Sequence, residues 1–160
     1  MARPKQRISV SREEDFHAWC LDQAQTLRRI ASKVPSLDSL EIAAELEGMA
    51  RSEQHAVQSF LEVLLIHLLK WRFEPSHRSR SWRVSIQNAR SNIRNSLADS
   101  PSLRPKIPSL VSRAYDNARR SAGAEMELDE REWEEKSPPS CPGDFEQLMA
   151  DFEPASDVEP

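Results

Sequence analysis

The chain changes direction at HLLKWRFEP, residues 67–75, which is followed at once by SHRSRSW, residues 76–82. Pro75 ends this stretch, and it stops a helix because it has no backbone N–H and its ring clashes with the preceding turn. Aromatic and basic side chains crowd both sides of this break. The pattern predicts a junction between two helices, at which Trp71 and Trp82 face one interior and basic residues form the edge.

Two helices are predicted before the junction. The longer one is predicted from near Leu37 to Pro75, because its apolar residues are spaced mainly by threes, fours and sevens. Gly48 lies inside it and predicts a break or a close helix crossing, because glycine costs a helix roughly 1 kcal/mol relative to alanine. The shorter helix comes first: Ser11 and Glu14 form a capping box at its start, and it ends by residue 35.

Two further helices are predicted after the junction. The third extends from about residue 76 to 99 and is stopped by Pro101. The fourth is entered through Pro105 or Pro108 and ends at Gly123, since glycine is a common C-terminal cap. No segment has the alternating pattern of a strand. We therefore expect an all-α fold, an antiparallel bundle of four main helices over residues 9–124.

Residues 125–160 differ from the bundle in composition. Residues 121–160 contain two Lys or Arg against thirteen Asp or Glu, whereas residues 76–120 contain ten against two. Pro138 and Pro139 interrupt the acidic part. We expect an acidic, mostly irregular C-terminal tail with a short docked helical segment near residues 145–152 and a disordered end after Pro154.

Several classes of function lack their sequence signals. With only three glycines, the chain can build neither a phosphate-binding loop nor a dinucleotide-binding turn, so we expect no cofactor. There is no G-x-S-x-G motif, and an enzyme is not the favoured interpretation. The two cysteines form no C-x-x-C pair, and the apolar run of residues 63–69 is far short of the ~20 residues of a membrane helix. We expect a cytoplasmic protein without a membrane partner.

Two Glu-x-x-His pairs raise the alternative of a metal-dependent hydrolase, because di-iron helical bundles use such pairs. They are Glu14 with His17 and Glu74 with His77. Pro75 disfavours helical geometry in the second pair. His17 stands in a first helical turn among acidic residues, where a solvated side chain is the expectation. No metal ligand is therefore assigned.

Three polar residues of the second helix form a candidate buried polar network: Glu53, His67 and Lys70. Glu53 and His67 fall on the apolar side of the helix, where polar groups need partners. They are ~21 Å apart along a continuous helix and cannot bond to each other. We expect Glu53 to pair with an arginine of the third helix or with Lys70 of a neighbouring subunit, and His67 to bond to a backbone carbonyl or a carboxylate.

Seven arginines of the third and fourth helices and their approach form the candidate partner-binding surface. The favoured interpretation is a non-enzymatic cytosolic interaction or scaffold module that binds a protein partner or self-associates. Nucleic-acid binding through the basic face of the two helices is the alternative, and a solvated face or one covered by the acidic tail is the third possibility. The seven are Arg78, Arg80, Arg83, Arg90, Arg94, Arg113 and Arg120.

Seven short blocks, taken in order, resemble the bacterial domain-of-unknown-function family twenty-nine over roughly residues 13 to 150. The resemblance implies an all-helical protein, and it implies no activity and no catalytic residues. The blocks are DFHAW at residues 15–19, ELE and RSE at 45–47 and 51–53, HLLKW at 67–71, RSRSW at 78–82, SPSL at 100–103, AY at 114–115, and CP before EQL at 141–148.

Overall fold

The computed structural model describes residues 10–150 and shows an all-α fold in them, as predicted, with no strand in this range. Short 3-10 segments, Ala31–Lys33, Pro75–His77 and Pro101–Lys106, connect the first four helices. The α-helices are α1 Phe16–Ile30, α2 Ser39–Phe73, α3 Arg80–Asp99, α4 Ile107–Glu125, α5 Glu130–Lys136 and α6 Phe145–Met149.

Helix α2 is the spine of the molecule. It has 35 residues and is therefore ~52 Å long. Helix α1 runs antiparallel along its first half, where Arg28 and Glu47 form an ion pair at 2.9 Å. Helices α3 and α4 pack against its second half, and the main core begins there at Val57. The buried apolar residues of the α1–α2 hairpin, Cys20, Ala24, Ala43 and Ala50, do not belong to that core.

The four main helices thus do not surround one common core, which differs from the bundle that we expected. Helix α1 packs on α2 and touches the 3-10 segment Pro101–Lys106, whereas α3 and α4 meet the other end of α2. The physical reason is the length of α2, since a helix of 35 residues is more than twice as long as α1 with its 15. The fold therefore has a thin two-helix end and a thick three-helix end.

The capping residues of α1 differ from those predicted. Ser11 and Glu14 do exchange the hydrogen bonds of a capping box, with N···O distances of 3.1 and 3.3 Å, but they close a separate turn. The helix itself begins at Phe16, and Asp15 caps it by accepting from the N–H of Ala18 at 2.8 Å. Asp15 is the cap because its extended backbone directs the carboxylate toward the first free amides of the helix.

Neither helix glycine has the role predicted for it. Gly48 interrupts nothing, and a Cβ added there would meet only the Arg51 side chain, at 3.6 Å, so no helix crosses closely. Gly123 lies inside α4 instead of capping it. The cap is a Schellman motif with Glu127 in the left-handed region at φ 53°, in which Leu128 N–H donates to Gly123 O and Glu127 N–H to Ala124 O, both at 3.1 Å.

The junction after α2 has the predicted form with a later start for α3. Trp71 is buried, and the half-buried Trp82 packs against the same core. The third helix was predicted to start at about residue 76, but residues Pro75–His77 form a 3-10 turn, so α3 begins at Arg80. Ser79 caps it by accepting from the Trp82 N–H at 3.3 Å.

Residues 126–150 pack against the thick end and contribute Trp133 and Leu148 to its core. Helix α6 lies where a docked helical segment was predicted, whereas α5 was not predicted. The Tyr115 hydroxyl donates to Pro138 O at 2.7 Å and ties the connection between them to α4. The predicted disordered end after Pro154 lies outside the described residues. Within the described range, none of the helices combines the length and hydropathy that crossing a membrane requires.

Candidate functional site

The seven candidate arginines do not form one surface. Arg90 is only 4% exposed, and its Nε donates to Leu148 O at 2.9 Å. Arg94 is exposed and donates through Nη2 to Met149 O at 3.2 Å. Both arginines thus bind carbonyls at the C-terminal end of α6, where the helix dipole and unpaired acceptors favour a cation. The structure assigns Arg90 and Arg94 to holding the tail.

Arg119, which was not among the candidates, holds α5 in the same manner. Its Nη2 donates to Glu134 O at 2.9 Å and its Nε to Ser137 Oγ at 2.6 Å. In these four hydrogen bonds, the tail therefore binds the arginines of α3 and α4 with three main-chain carbonyls and one hydroxyl. Sequence reasoning had considered only its acidic side chains for this contact. Every residue has a backbone carbonyl, so no sequence pattern could indicate which carbonyls these arginines bind.

The other candidate arginines are exposed and lie apart. Arg78 donates through Nε to Trp71 O at 3.0 Å, and its guanidinium lies 5.2 Å from the centre of the Trp71 ring. Arg120 donates to Asn117 Oδ1 at 2.8 Å. The side chains of Arg80, Arg83 and Arg113 have no hydrogen bond or ion pair with any of residues 10–150. The exposed positive charge is thus divided between the start of α3 and the outer side of α4.

Glu53, His67 and Lys70 do not form a network, and none of them is fully buried. His67 Nδ1 donates to Val63 O of the same helix at 2.8 Å, one of the two kinds of partner predicted for it. Lys70 Nζ pairs with Glu125 at 2.7 Å and lies 4.7 Å from the centre of the Trp82 ring. Glu53 borders a groove with Arg12 and Asp99. All three are side chains of one helix, and their spacing along it keeps them apart.

A polar cluster that the sequence did not predict joins α1 to the 3-10 segment before α4. Asp15 accepts from Ser102 through both carboxylate oxygens, from the N–H at 2.6 Å and from the hydroxyl at 2.8 Å. Ser102 Oγ is 2.9 Å from Nδ1 of His17, whose Nε2 is 3.4 Å from Nζ of Lys106. Lys106 also donates to Gln54 Oε1 of α2 at 2.9 Å. We call these five residues the waist cluster, because they lie where the thin and thick ends meet.

The donors and acceptors of the waist cluster fix the state of its histidine. Lysine has only donors, so Nε2 of His17 accepts and Nδ1 carries the proton that it donates to Ser102. Burial lowers the pKa of His17, the positive charge of Lys106 lowers it further, and Asp15 opposes both. His17 is 4% exposed, and the expectation of a solvated side chain is wrong. A segment 85 residues away in sequence covers it.

The waist cluster connects α1 and α2 to the 3-10 segment before α4, and it lacks the geometry of a hydrolytic site. Its histidine donates to Ser102, so it cannot also take the proton of that hydroxyl. Within residues 10–150, no group of three or more His, Cys, Asp or Glu side chains has a geometry that could hold a metal ion. Glu14 is exposed whereas His17 is buried, so the first Glu-x-x-His pair does not share a face. The second pair lies at the surface, with Glu74 and His77 3.7 Å apart.

Helix α2 carries a face that the other described residues cover only in part. Its members are spaced alternately by four and three residues, and every one of them is exposed or half-buried. Ile42, Met49 and Val63 are 40, 45 and 41% exposed. The buried stripe of the same helix contains Ala43, Ala50 and Val57. Each of them follows a member of this face by one position and therefore lies on a different side of the helix. The members are Ile42, Leu46, Met49, Glu53, Ala56, Phe60, Val63 and His67.

Helix α1 extends this face sideways. Its half-buried apolar residues Phe16, Trp19, Leu27 and Ile30 also lie next to a buried stripe, here His17, Cys20 and Ala24. In both helices, residues of the partly exposed stripe directly precede residues of the buried stripe. Because the helices are antiparallel, these preceding residues lie on the same side of the hairpin. The Phe16 and Trp19 rings stack with centroids 6.2 Å apart, and Phe16 borders a groove with Met49 and Glu53. We call the combined surface of α1 and α2 the open face.

Sequence reasoning missed the open face because apolar residues occupy two adjacent stripes of α2. The apolar residues of this helix, spaced by threes, fours and sevens, were interpreted as one stripe, which combined Leu46 and Phe60 with Ala43 and Val57. An alternation of four and three residues from 42 to 67 was the signal that could have separated the stripes.

Comparison with known proteins places the chain in a family. The model of the family described as Domain of unknown function DUF29 matches residues 12–152, and the chain belongs to this family, as the resemblance implied. No curated protein and no solved structure matches the chain. Family membership thus agrees with the helical fold and brings no activity with it.

Proposed function

We propose that this member of the DUF29 family is a non-enzymatic interaction module that self-associates through the open face. The observation that carries the proposal is the uninterrupted alternation of four and three residues from Ile42 to His67 at positions that are exposed or only partly buried. Single exposed apolar residues are normal on a protein surface. Apolar residues at heptad spacing over nearly four heptads are typical of a helix that packs against another helix.

The area of the open face is sufficient for a dimer. From residue 42 to 67 the α2 stripe is ~38 Å long, and the α1 stripe adds ~21 Å beside it. With helices 8–10 Å apart, the surface measures roughly 500–600 Å² on each subunit. Two such surfaces bury about 1,000–1,200 Å², which is close to the lower end of specific stable interfaces. A second copy brings an identical two-helix layer, and two such layers form a four-helix arrangement.

Nucleic-acid binding is the weaker proposal. Arg90 and Arg94 hold the tail, and the exposed Arg83 and Arg113 lie on different helices, so no continuous basic path follows from the arrangement. A phosphate backbone is bound most strongly where several cations line up. A metal-dependent hydrolase finds no ligand cluster among residues 10–150 that would support it.

Sedimentation of the full chain over a range of concentrations tests self-association. The wild type should show a monomer–dimer equilibrium, and Met49→Glu or Val63→Glu should raise the dissociation constant at least about tenfold, because each buries an unpaired carboxylate. Leu21→Glu is the matched control: Leu21 is 42% exposed, similar to Met49, but follows the buried Cys20 and turns to the opposite side of α1. A wild type that stays monomeric at about 100 μM, a weak-binding concentration, contradicts the proposal.

A further inference from the structure

The polar residues of the open face point to one arrangement of the two subunits. Resting on the proposed self-association, we infer that two α2 helices pair antiparallel about a two-fold axis that passes Phe60. The inference concerns which residues meet across the interface, whereas the self-association proposal states only which face is covered.

The first argument is the symmetry of the stripe about Phe60. Glu53 lies seven residues before Phe60 and His67 seven residues after it. In a two-fold antiparallel pair, residues equally far from the axis meet, and each contact occurs twice. Glu53 therefore meets the partner subunit's His67. Between this contact and the axis, the small Ala56 lies four residues before Phe60 and the larger Val63 three residues after it, so the two side chains of opposite subunits lie near each other without being directly opposite.

The second argument is that Glu53 and His67 both have a free polar end. The Glu53 carboxylate has no hydrogen bond or ion pair with any of residues 10–150. In His67, Nδ1 is used by the Val63 carbonyl, which leaves Nε2 as the ring atom that can meet a carboxylate, as the donor of an imidazolium. Both side chains are half-buried already, so a second subunit would complete their burial and supply the partner that each lacks.

Other arrangements leave these groups without partners. A parallel pair places each residue opposite itself, which sets Glu53 against the partner subunit's Glu53. An antiparallel pair centred between Glu53 and Ala56 covers more of the stripe but sets His67 against the partner subunit's Ile42 and brings the two acids near each other. An unpaired or like-charged buried carboxylate outweighs the gain from one more buried apolar side chain. Of these three arrangements, the one with its axis at Phe60 is therefore favoured by electrostatics.

Charge exchange between the two positions tests the arrangement. Glu53→Lys alone removes the acid that meets the partner subunit's His67 and buries a cation in its place, and His67→Glu alone sets an acid against the partner subunit's Glu53. Each variant should raise its dimer dissociation constant about tenfold or more, the first because a buried cation lacks an acidic partner and the second because juxtaposed like charges disfavour association. An equimolar mixture of the two variants should form heterodimers within a few-fold of the wild-type constant, because both contacts are then between opposite charges. His55→Glu, the same change at an exposed position of α2 off the stripe, should leave dimerisation unchanged.

The outcomes separate the two proposals. If the wild type dimerises but the mixture associates no better than either variant alone, the axis is not at Phe60 and self-association stands. If Glu53→Lys and His67→Glu dimerise as the wild type does, the pairing of these two positions is likewise overturned. A monomeric wild type refutes self-association itself, and the arrangement with it.

Discussion

Gly123 of α4 lies directly against the indole of Trp133 in α5. A Cβ at position 123 would be 2.7 Å from Nε1 and 2.9 Å from Cγ of that ring, closer than carbon atoms can approach. The indole N–H donates to Arg119 O at 2.7 Å, which holds the ring where it is. A glycine in the last turn of α4 thus allows the first part of the tail to dock.

We therefore predict that Gly123→Ala destabilises the protein by about 1–3 kcal/mol, because the ring must move to make room. Gly48→Ala is the matched control. The space at position 48 is open, so the higher helix propensity of alanine should stabilise the protein by up to about 1 kcal/mol. Urea unfolding measures both variants. A stabilised Gly123→Ala variant would mean that Trp133 is not held against α4.

The two buried tryptophans should differ in their response to phenylalanine. Trp133 donates its N–H to a carbonyl, whereas Nε1 of Trp71 is buried and has no partner among residues 10–150. Trp133→Phe should therefore cost about 1–2 kcal/mol more than Trp71→Phe, since only the first loses a buried hydrogen bond. Equal losses in free energy of unfolding would show that Trp71 Nε1 has a partner.

Arg90→Lys should loosen α6. The lysine retains the charge but loses the Nε–H that donates to Leu148 O, at a buried position. We expect a loss of about 1–2 kcal/mol in stability and faster hydrogen exchange in residues 145–150. Arg83→Lys, at an exposed position of the same helix, should change neither. Unchanged exchange in α6 after Arg90→Lys would show that this contact does not hold the tail.

Stability should fall as the pH drops below about 6.5, the value of an unperturbed histidine. The folded protein lowers the pKa of His17, so the unfolded chain binds more protons in this range. The loss should continue until the pH reaches the lowered pKa. His17→Asn should flatten this part of the profile of unfolding free energy against pH, whereas His55→Asn, at an exposed position, should retain it. A steep profile in His17→Asn would assign the effect to another group.

Glu127→Gly should stabilise the protein by about 0.5–1 kcal/mol, because glycine adopts the left-handed conformation at φ 53° without strain. Ser121→Gly, at an exposed position inside α4, should instead lower the free energy of unfolding by about 1 kcal/mol. If Glu127→Gly is also destabilising, the α4 cap does not have the Schellman geometry.

Helix positions were largely predictable because the signals that set them act within one or two turns. Pro75 and Pro101 stop helices by local sterics, and the apolar periodicity of residues 39–73 is long enough to leave no alternative. Helix α5 was missed because its single apolar anchor, Trp133, is surrounded by acidic residues that are typical of a tail. The candidate site was less predictable, since Arg90 and Arg94 have the same spacing whether they face solvent or bind the carbonyls of α6.

The chain alone thus sets the number and extent of the long helices and the side of each that is apolar, because backbone sterics, caps and periodicity depend on near neighbours. It does not set which apolar stripe is buried when two adjacent stripes are available, as in α2. Nor does it show that His17 is covered by Ser102 or that Gly123 receives Trp133. Those contacts join residues far apart in sequence, and their energies exist only once the helices have packed against one another.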